Sequence, residues 1–191
     1  MKSQPHFKKR KVIMIDPHKC TGCHSCEMAC SLHHFKKCAP NYSRIRIQEF
    51  RDTNTFIPVV CQGCDDAVCT KYCPVNARTR LENGAVVTDE ERCIGCRACV
   101  AGCQFGAAVV NPESKKPMSC DLCALSENGP ACVKACTMQK ALRYVNADEC
   151  SKMKSREWAR VVQKDYAPPG VNAGAEILKK AGYGLAEDEK Q

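Results

Sequence analysis

Residues 20–30 read CTGCHSCEMAC, four thiols in eleven positions with gaps of two, two and three residues. The density continues outward: the 191-residue chain holds 18 cysteines, which calls for either disulfides or metal. A short secreted chain would use them as a disulfide framework. However, MKSQPHFKKRKVIMID at residues 1–16 has neither the apolar stretch nor the small-residue cleavage site of a secretory leader. No run approaches the ~18 apolar residues of a membrane span. The longest, such as Ala107 to Val110, have the size of a strand. The composition predicts a soluble chain in a reducing, cytoplasmic compartment, where thiols stay free to bind metal.

Aligned on their thiols, four groups expose an internal repeat. The first is Cys20, Cys23, Cys26 and Cys30, and the third, CIGCRACVAGC, repeats its spacing with Cys93, Cys96, Cys99 and Cys103. The second, CQGCDDAVCTKYCP, opens the middle gap to four residues and supplies Cys61, Cys64, Cys69 and Cys73. The fourth, Cys120, Cys123, Cys132 and Cys136, opens it to eight. Together they use 16 of the 18 thiols.

Spacing separates the metal chemistries. Structural zinc takes two CxxC pairs a dozen or more residues apart, which would leave Cys26 and Cys30 unused. A thioredoxin-type redox pair needs a single CxxC beside a βαβ unit, not four reiterated sets. The run C-x2-C-x2-C-x3-C is the bacterial ferredoxin pattern: three close thiolates wrap one [4Fe-4S] cluster, and the fourth, beyond a longer gap, reaches a neighbouring cluster. A group that lends its last thiol must receive one from a partner, and sequence alone allows several pairings.

The order of groups over roughly residues 12–146 resembles the four-cluster ferredoxin subunits of molybdenum and tungsten oxidoreductases. The resemblance implies that group one pairs with group four and group two with group three. One cluster would then sit on Cys20, Cys23, Cys26 and Cys136, and a second on Cys30, Cys120, Cys123 and Cys132. A third would take Cys73, Cys93, Cys96 and Cys99, and a fourth Cys61, Cys64, Cys69 and Cys103. It implies two interleaved bacterial-ferredoxin-like modules around four [4Fe-4S] clusters; the strand-like segments between the groups make the expected fold α+β, and the change of composition after Cys150 adds a C-terminal helical extension. The first module is discontinuous, residues 1–52 and 113–150; the second is inserted as residues 53–112; the extension is 151–191.

The intervening segments suit small sheets. KVIMID (11–16) and the alternating SRIRIQ (43–48) read as short strands, as do parts of AAVVNPESKKPMSC (107–120) and KALRYVNADE (140–149). Asn83-Gly84 within RLENGAVVTD predicts a hairpin with a type I′ turn. Clusters would supply much of the interior, so the metal-free chain is expected to fold poorly. Pro74 follows Cys73, as in the ferredoxin ending C-x3-C-P, while Ser31, Gln104 and Thr137 occupy the equivalent places. There the proline either adjusts hydrogen bonding to a sulfur or only shapes a turn.

The formal charge of +8 would ordinarily suggest nucleic acid or an anionic surface. Four thiolate-bound clusters contribute roughly −8, which brings the loaded chain near neutrality. Lys19, Arg92 and Arg97 lie close to cluster thiols and are candidates for raising a potential, though a single Lys or Arg is ordinarily a solvated surface charge. The basic HFKKRK at residues 6–11 reads as a solvated arm. His24, His33 and His34 flank the first group as outer or surface residues because the thiols already complete the ligand count. Cys38 and Cys150 fall outside ligand spacing and are expected to be free.

After Cys150 the composition changes. SREWARVVQKDY predicts a helix capped by Ser155 with Trp158, Val161 and Val162 on one face, ended by APPG, that either covers the core or docks on a partner; AGAEILKKAGY and an acidic tail follow as a docking arm or a disordered end. There is no Gly-rich phosphate loop, no nucleophile with a base at motif spacing and no cluster short of a ligand. The chain is therefore expected to be a non-catalytic electron carrier for a separate catalytic subunit. The stretch CTGCHSCEMACSLHHFKKCAPNYSRIRI (20–47) resembles the iron-sulfur subunits of tungsten enzymes of the aldehyde oxidoreductase family, including tungsten benzoyl-CoA reductases of strict anaerobes. That resemblance implies a tungstopterin partner, with molybdenum as its relative, and ferredoxin or a larger redox complex at the other end. The alternatives are a subunit of a dimethyl sulfoxide reductase-family or hydrogenase complex, or a free-standing polyferredoxin. No nucleic acid and no membrane span are expected.

Overall fold

Lys11–Ile15 forms strand β1, whose β-branched residues bury Ile13 and Met14, and it pairs antiparallel with β8, Leu142–Asn146, in the register Lys11↔Asn146 to Ile15↔Leu142. The two ends of the cysteine-bearing region are thus hydrogen-bonded to each other. The computed structural model describes residues 10–126, 128–153 and 155. The chain divides into a unit of Met1–Asp148 and a second unit of Glu149–Gln191. Trp158, Val161, Val162 and the expected second helical stretch lie outside the described residues.

Helix α1, Ser25–Phe35, opens after His24, which is left-handed at φ 57, and stops at Lys36, left-handed at φ 56 with its N–H on the Leu32 carbonyl. Glu27 in the first turn and His33 and His34 in the last complement the helix dipole. Cys26 and Cys30, four residues apart, share the buried face. That face packs on helix α4, Ala131–Ala135, which carries Cys132. Helix α2, Val68–Lys71, packs on α3, Ala98–Ala101. The helix of the first group thus meets that of the fourth, and the helix of the second meets that of the third.

All the sheets are two-stranded. Besides β1 with β8, the pairs are β2, Arg46–Phe50, with β3, Thr55–Val59; β4, Arg78–Arg80, with β5, Val86–Thr88; and β6, Val109–Val110, with β7, Pro117–Met118. Every strand is therefore an edge, which is why Pro58 and Pro117 are tolerated inside strands. Strand β3 was not anticipated from the sequence, because Pro58 breaks its pattern. The β4–β5 hairpin forms as expected but not with a type I′ turn. Leu81 N–H bonds to Ala85 and Gly84 N–H to Leu81, Asn83 keeps a negative φ, and Gly84 alone is left-handed at φ 90. This is the three-residue loop closed by a glycine bulge; Asn83 Oδ1 instead accepts the Ala85 N–H at 3.0 Å.

The core joins Ile13, Ile45, Val60, Leu122 and Leu142 to Cys26, Cys30, Cys120 and Cys132. No phenylalanine, tyrosine or tryptophan is buried among the described residues. Fully burying one large aliphatic side chain contributes about 1.5–3 kcal/mol, while fixing the backbone of one residue costs about 1–2 kcal/mol. So thin a core needs a further source of cohesion. Among the described residues, no helix is long and apolar enough to cross a membrane.

The residue before the second thiol is left-handed in all four groups: Gly22, Gly63, Gly95 and Leu122, with φ of 67, 55, 72 and 58. At Gly63 a Cβ would lie 2.5 Å from the Gly84 carbonyl oxygen, fixed backbone that cannot yield; Gly106, at φ 61, has nothing within 4 Å. Gly106→Ala is expected to cost about 1–2 kcal/mol, the left-handed penalty alone. Gly63→Ala should cost clearly more in anaerobic thermal unfolding. Equal losses would mean that the contact with Gly84 is unimportant.

Candidate metal centre

None of the 18 cysteines forms a disulfide. A short 3-10 turn, Pro17–Lys19, delivers Cys20, the left-handed Gly22 and His24 curl the chain, and α1 presents Cys26. These thiols and Cys23 line a cavity open to solvent, with Cys136 from beyond α4 as the fourth sulfur. Ile47, Pro58 and Leu142 close its apolar side. A second cavity, also open, is lined by Cys61, Cys64 and Cys69 with Cys103 from beyond α3.

Electrostatic coupling marks the other two sets. Burial drives the Cys120 and Cys132 thiols far up, and charge on Cys30 raises both further, so Cys30 lies beside them. Burial, then Asp121 and Cys30, also raises Cys123. Burial raises Cys99 on α3, with added contributions from Cys69 and Cys73; Cys93 and Cys96 stand in the loop leading into that helix. The groups also lie next to one another in series. The helix of Cys26 packs on that of Cys132, Cys61 and Cys120 line one small cavity together with Gly63 and Leu122, and the helix of Cys69 packs on that of Cys99. Cys30, Cys120, Cys123 and Cys132 are all buried, whereas Cys23 and Cys96 are exposed.

The residues present fit a thiolate-bound inorganic cluster. All-sulfur donor sets select zinc, copper(I) or iron-sulfur groups. A structural zinc takes two CxxC pairs, whereas each group here carries a third and a fourth thiol at ferredoxin spacing. Burial, then the Glu27 charge, pushes the Cys26 thiol up to about 12, so only a strongly cationic group displaces its proton. Backbone N–H groups already point at sulfur: Arg44 at Cys30 (3.3 Å), Ala77 at Cys73 (3.2 Å) and Leu122 at Cys120 (3.4 Å). Such donors favour a charged sulfur over a neutral one.

Of the other residues singled out in the sequence, Lys19 is exposed and paired with Asp16 at 2.8 Å, and Arg92 and Arg97 are exposed. His34 is packed in: its Nε2 lies 3.7 Å from Cys123 Sγ and 3.4 Å from Asp121, and burial together with Arg44 pushes it down to about 4. His24 instead reaches Glu27 at 2.7 Å and Glu49 at 3.1 Å. Cys38 is exposed and Cys150 partly so. The sequence reading missed two residues. Glu27, 4% exposed, accepts the Ile47 N–H at 2.8 Å and so fastens α1 to β2. Its position between two ligand thiols hid a structural carboxylate. The other is Arg78, buried at 4% exposure, which no spacing rule marks.

Comparison with known proteins places these groups in sequence families. Residues 53–146, spanning groups two to four, match the 4Fe-4S dicluster domain, and residues 17–33, spanning group one, match a 4Fe-4S binding domain. The chain is 38% identical over 154 residues to YsaA of Escherichia coli K12, covering 77% of this chain and 97% of that protein. It is 34% identical over 156 residues to the thiosulfate reductase electron transfer subunit PhsB of Salmonella typhi, covering 75% and 80%. A chain in the active site complex BamBC of benzoyl coenzyme A reductase aligns over 88% of this chain and 96% of its own length, at 23% identity and a TM-score of 0.42.

Removing the Glu27 carboxylate leaves the Ile47 N–H without its acceptor and takes from His24 the nearer of its two carboxylates. Glu27→Ala is expected to lower stability by about 1–3 kcal/mol, measured by anaerobic thermal unfolding. Glu27→Gln, which keeps an acceptor for Ile47, should retain part of it; an alanine variant as stable as the parent would contradict this role.

Proposed function

The chain belongs to the family of 4Fe-4S electron-transfer proteins, and on that premise we propose that it relays single electrons through four [4Fe-4S] clusters to or from a separate pterin-containing catalytic subunit. The clusters would be held by Cys20, Cys23, Cys26 and Cys136; by Cys30, Cys120, Cys123 and Cys132; by Cys61, Cys64, Cys69 and Cys103; and by Cys73, Cys93, Cys96 and Cys99. When bound, each supplies a one-electron carrier. The chain's own residues hold the sulfurs, exclude water and fix the surrounding charge.

The observation that carries this reading is the adjacency of the groups: α1 with Cys26 packs on α4 with Cys132, Cys61 and Cys120 line one small cavity, and α2 with Cys69 packs on α3 with Cys99. One terminal set contains the exposed Cys23 and the other the exposed Cys96, while the set of Cys30, Cys120, Cys123 and Cys132 is wholly buried. The other inner set, Cys61, Cys64, Cys69 and Cys103, is partly exposed, and both ends of the row offer the access a relay needs.

The 34% identity with a subunit of thiosulfate reductase supports a catalytic partner on another polypeptide. A tungsten partner of the aldehyde oxidoreductase type is the finer reading, supported by the resemblance over residues 20–47. Ferredoxin or a larger redox complex would serve the other end.

Anaerobic purification from the native cells tests both levels. We expect about sixteen iron and sixteen sulfide per chain and co-elution, at fixed stoichiometry, with a large chain containing tungsten. Molybdenum in that chain would replace the finer reading with the dimethyl sulfoxide reductase type, and elution alone would overturn the subunit reading in favour of a free carrier.

Ligation is tested separately. Cys136→Ser and Cys20→Ser should perturb the same cluster signal in EPR of the reduced protein, and Cys30→Ser and Cys132→Ser should share a different one. If Cys30→Ser and Cys20→Ser perturbed one signal in common and left that of Cys136→Ser intact, the interleaved assignment would fail.

A further inference from the structure

Arg78 is the buried cation of the described residues, 4% exposed, on strand β4. Its guanidinium donates to the Thr88 hydroxyl at 2.9 Å and to the Ser119 hydroxyl at 2.8 Å. Its Nε has no partner. Arg10, Arg44 and Arg80 also leave Nε orphaned, but each holds a carboxylate: Asp65 at 2.7 Å, Asp121 at 2.7 Å and Asp65 at 3.0 Å. Arg78 pairs with no carboxylate among the described residues, only with two neutral hydroxyls. A buried positive charge so placed requires a nearby anion.

The neighbourhood says what that anion is. Ala77, preceding Arg78, donates its N–H to Cys73 Sγ at 3.2 Å, and Ser119, which receives the guanidinium, precedes Cys120. The Ser119 hydroxyl passes on to the Val86 carbonyl at 3.2 Å, and Val86 lines the cavity of Cys61, Cys64, Cys69 and Cys103. Thr88, the other acceptor of the guanidinium, precedes Asp89, whose carbonyl accepts the Cys93 N–H at 3.1 Å.

We propose that Arg78 is the internal counter-charge of the inserted segment, a fixed cation that raises the reduction potentials of the clusters on Cys61, Cys64, Cys69 and Cys103 and on Cys73, Cys93, Cys96 and Cys99. The inference rests on the four-cluster reading. An electron arriving beside Arg78 adds one negative charge, and the guanidinium stabilises that state more than the oxidised one. Burial leaves the attraction weakly screened by salt, unlike that of the exposed Lys19, Arg92 and Arg97. Arg78 acts through the thiolates around it and touches no substrate.

The test compares the wild-type protein with Arg78→Gln and Arg78→Lys, all prepared anaerobically, first by iron and sulfide content and then by EPR-monitored redox titration. Wild-type protein far short of about sixteen irons per chain would refute the cluster reading itself. With full loading, Arg78→Gln should move two of the four midpoints to more negative potential and leave the signal lost in Cys136→Ser in place. Arg78→Lys should keep the wild-type midpoints. Four unchanged midpoints in a fully loaded Arg78→Gln protein, or an Arg78→Lys shift as large as that of the glutamine variant, would overturn the role of the charge. If Arg78→Gln takes up no iron, Arg78→Lys decides: full loading with wild-type midpoints supports the proposal, and failure to load overturns it.

Discussion

Sixteen thiols crowded into one small body are an unfavourable arrangement for the chain alone. Burial holds Cys26, Cys120 and Cys132 protonated far above the ordinary range, and neighbouring sulfurs disfavour one another's ionisation. Only a cationic inorganic partner reverses both effects at once. The aliphatic core is correspondingly thin, and cysteine side chains occupy places where other domains put leucine or phenylalanine. Sulfur chemistry, rather than burial of hydrocarbon, is the constraint to which the loops, short helices and two-stranded sheets are fitted.

That constraint explains the backbone. Each group turns through a left-handed residue before its second thiol, which aims successive N–H groups and sulfurs inward. Three groups use glycine there; the fourth uses Leu122 and accepts the strain, because its side chain also fills the core at 5% exposure. Carboxylates fasten the frame where cations cluster: Asp65 holds Arg10 and Arg80, and Asp121 holds Arg44. The buried charge left without such a partner is Arg78, held by the Thr88 and Ser119 hydroxyls.

Much of this was legible in the cysteine spacing, since ligand geometry tolerates little variation and the repeat is nearly literal. β1 and β5 were legible too, from runs of β-branched residues, and β2 from the alternation in SRIRIQ. Less visible were features decided by tertiary contact. Strand β3 hides behind Pro58, which only an edge strand permits. The hairpin at Asn83-Gly84 took a bulged loop because Asn83 was recruited to accept the Ala85 N–H. Glu27 and Arg78 look like surface charges in sequence, and local pattern does not reveal burial set by segments 20 to 41 residues away. Lys19, Arg92 and Arg97 attract notice for proximity along the chain, yet they stand exposed.

The pairing of β1 with β8 has a temporal implication. Sulfurs at 61–103 can all be present while the ribosome is still adding the C-terminal residues, but the cavity at Cys20 stays open until Cys136 has left the exit tunnel, and its covering strand lies later still. The interior of the sequence can mature first and the flanks last, leaving the earliest-made thiols waiting longest and most exposed to oxygen.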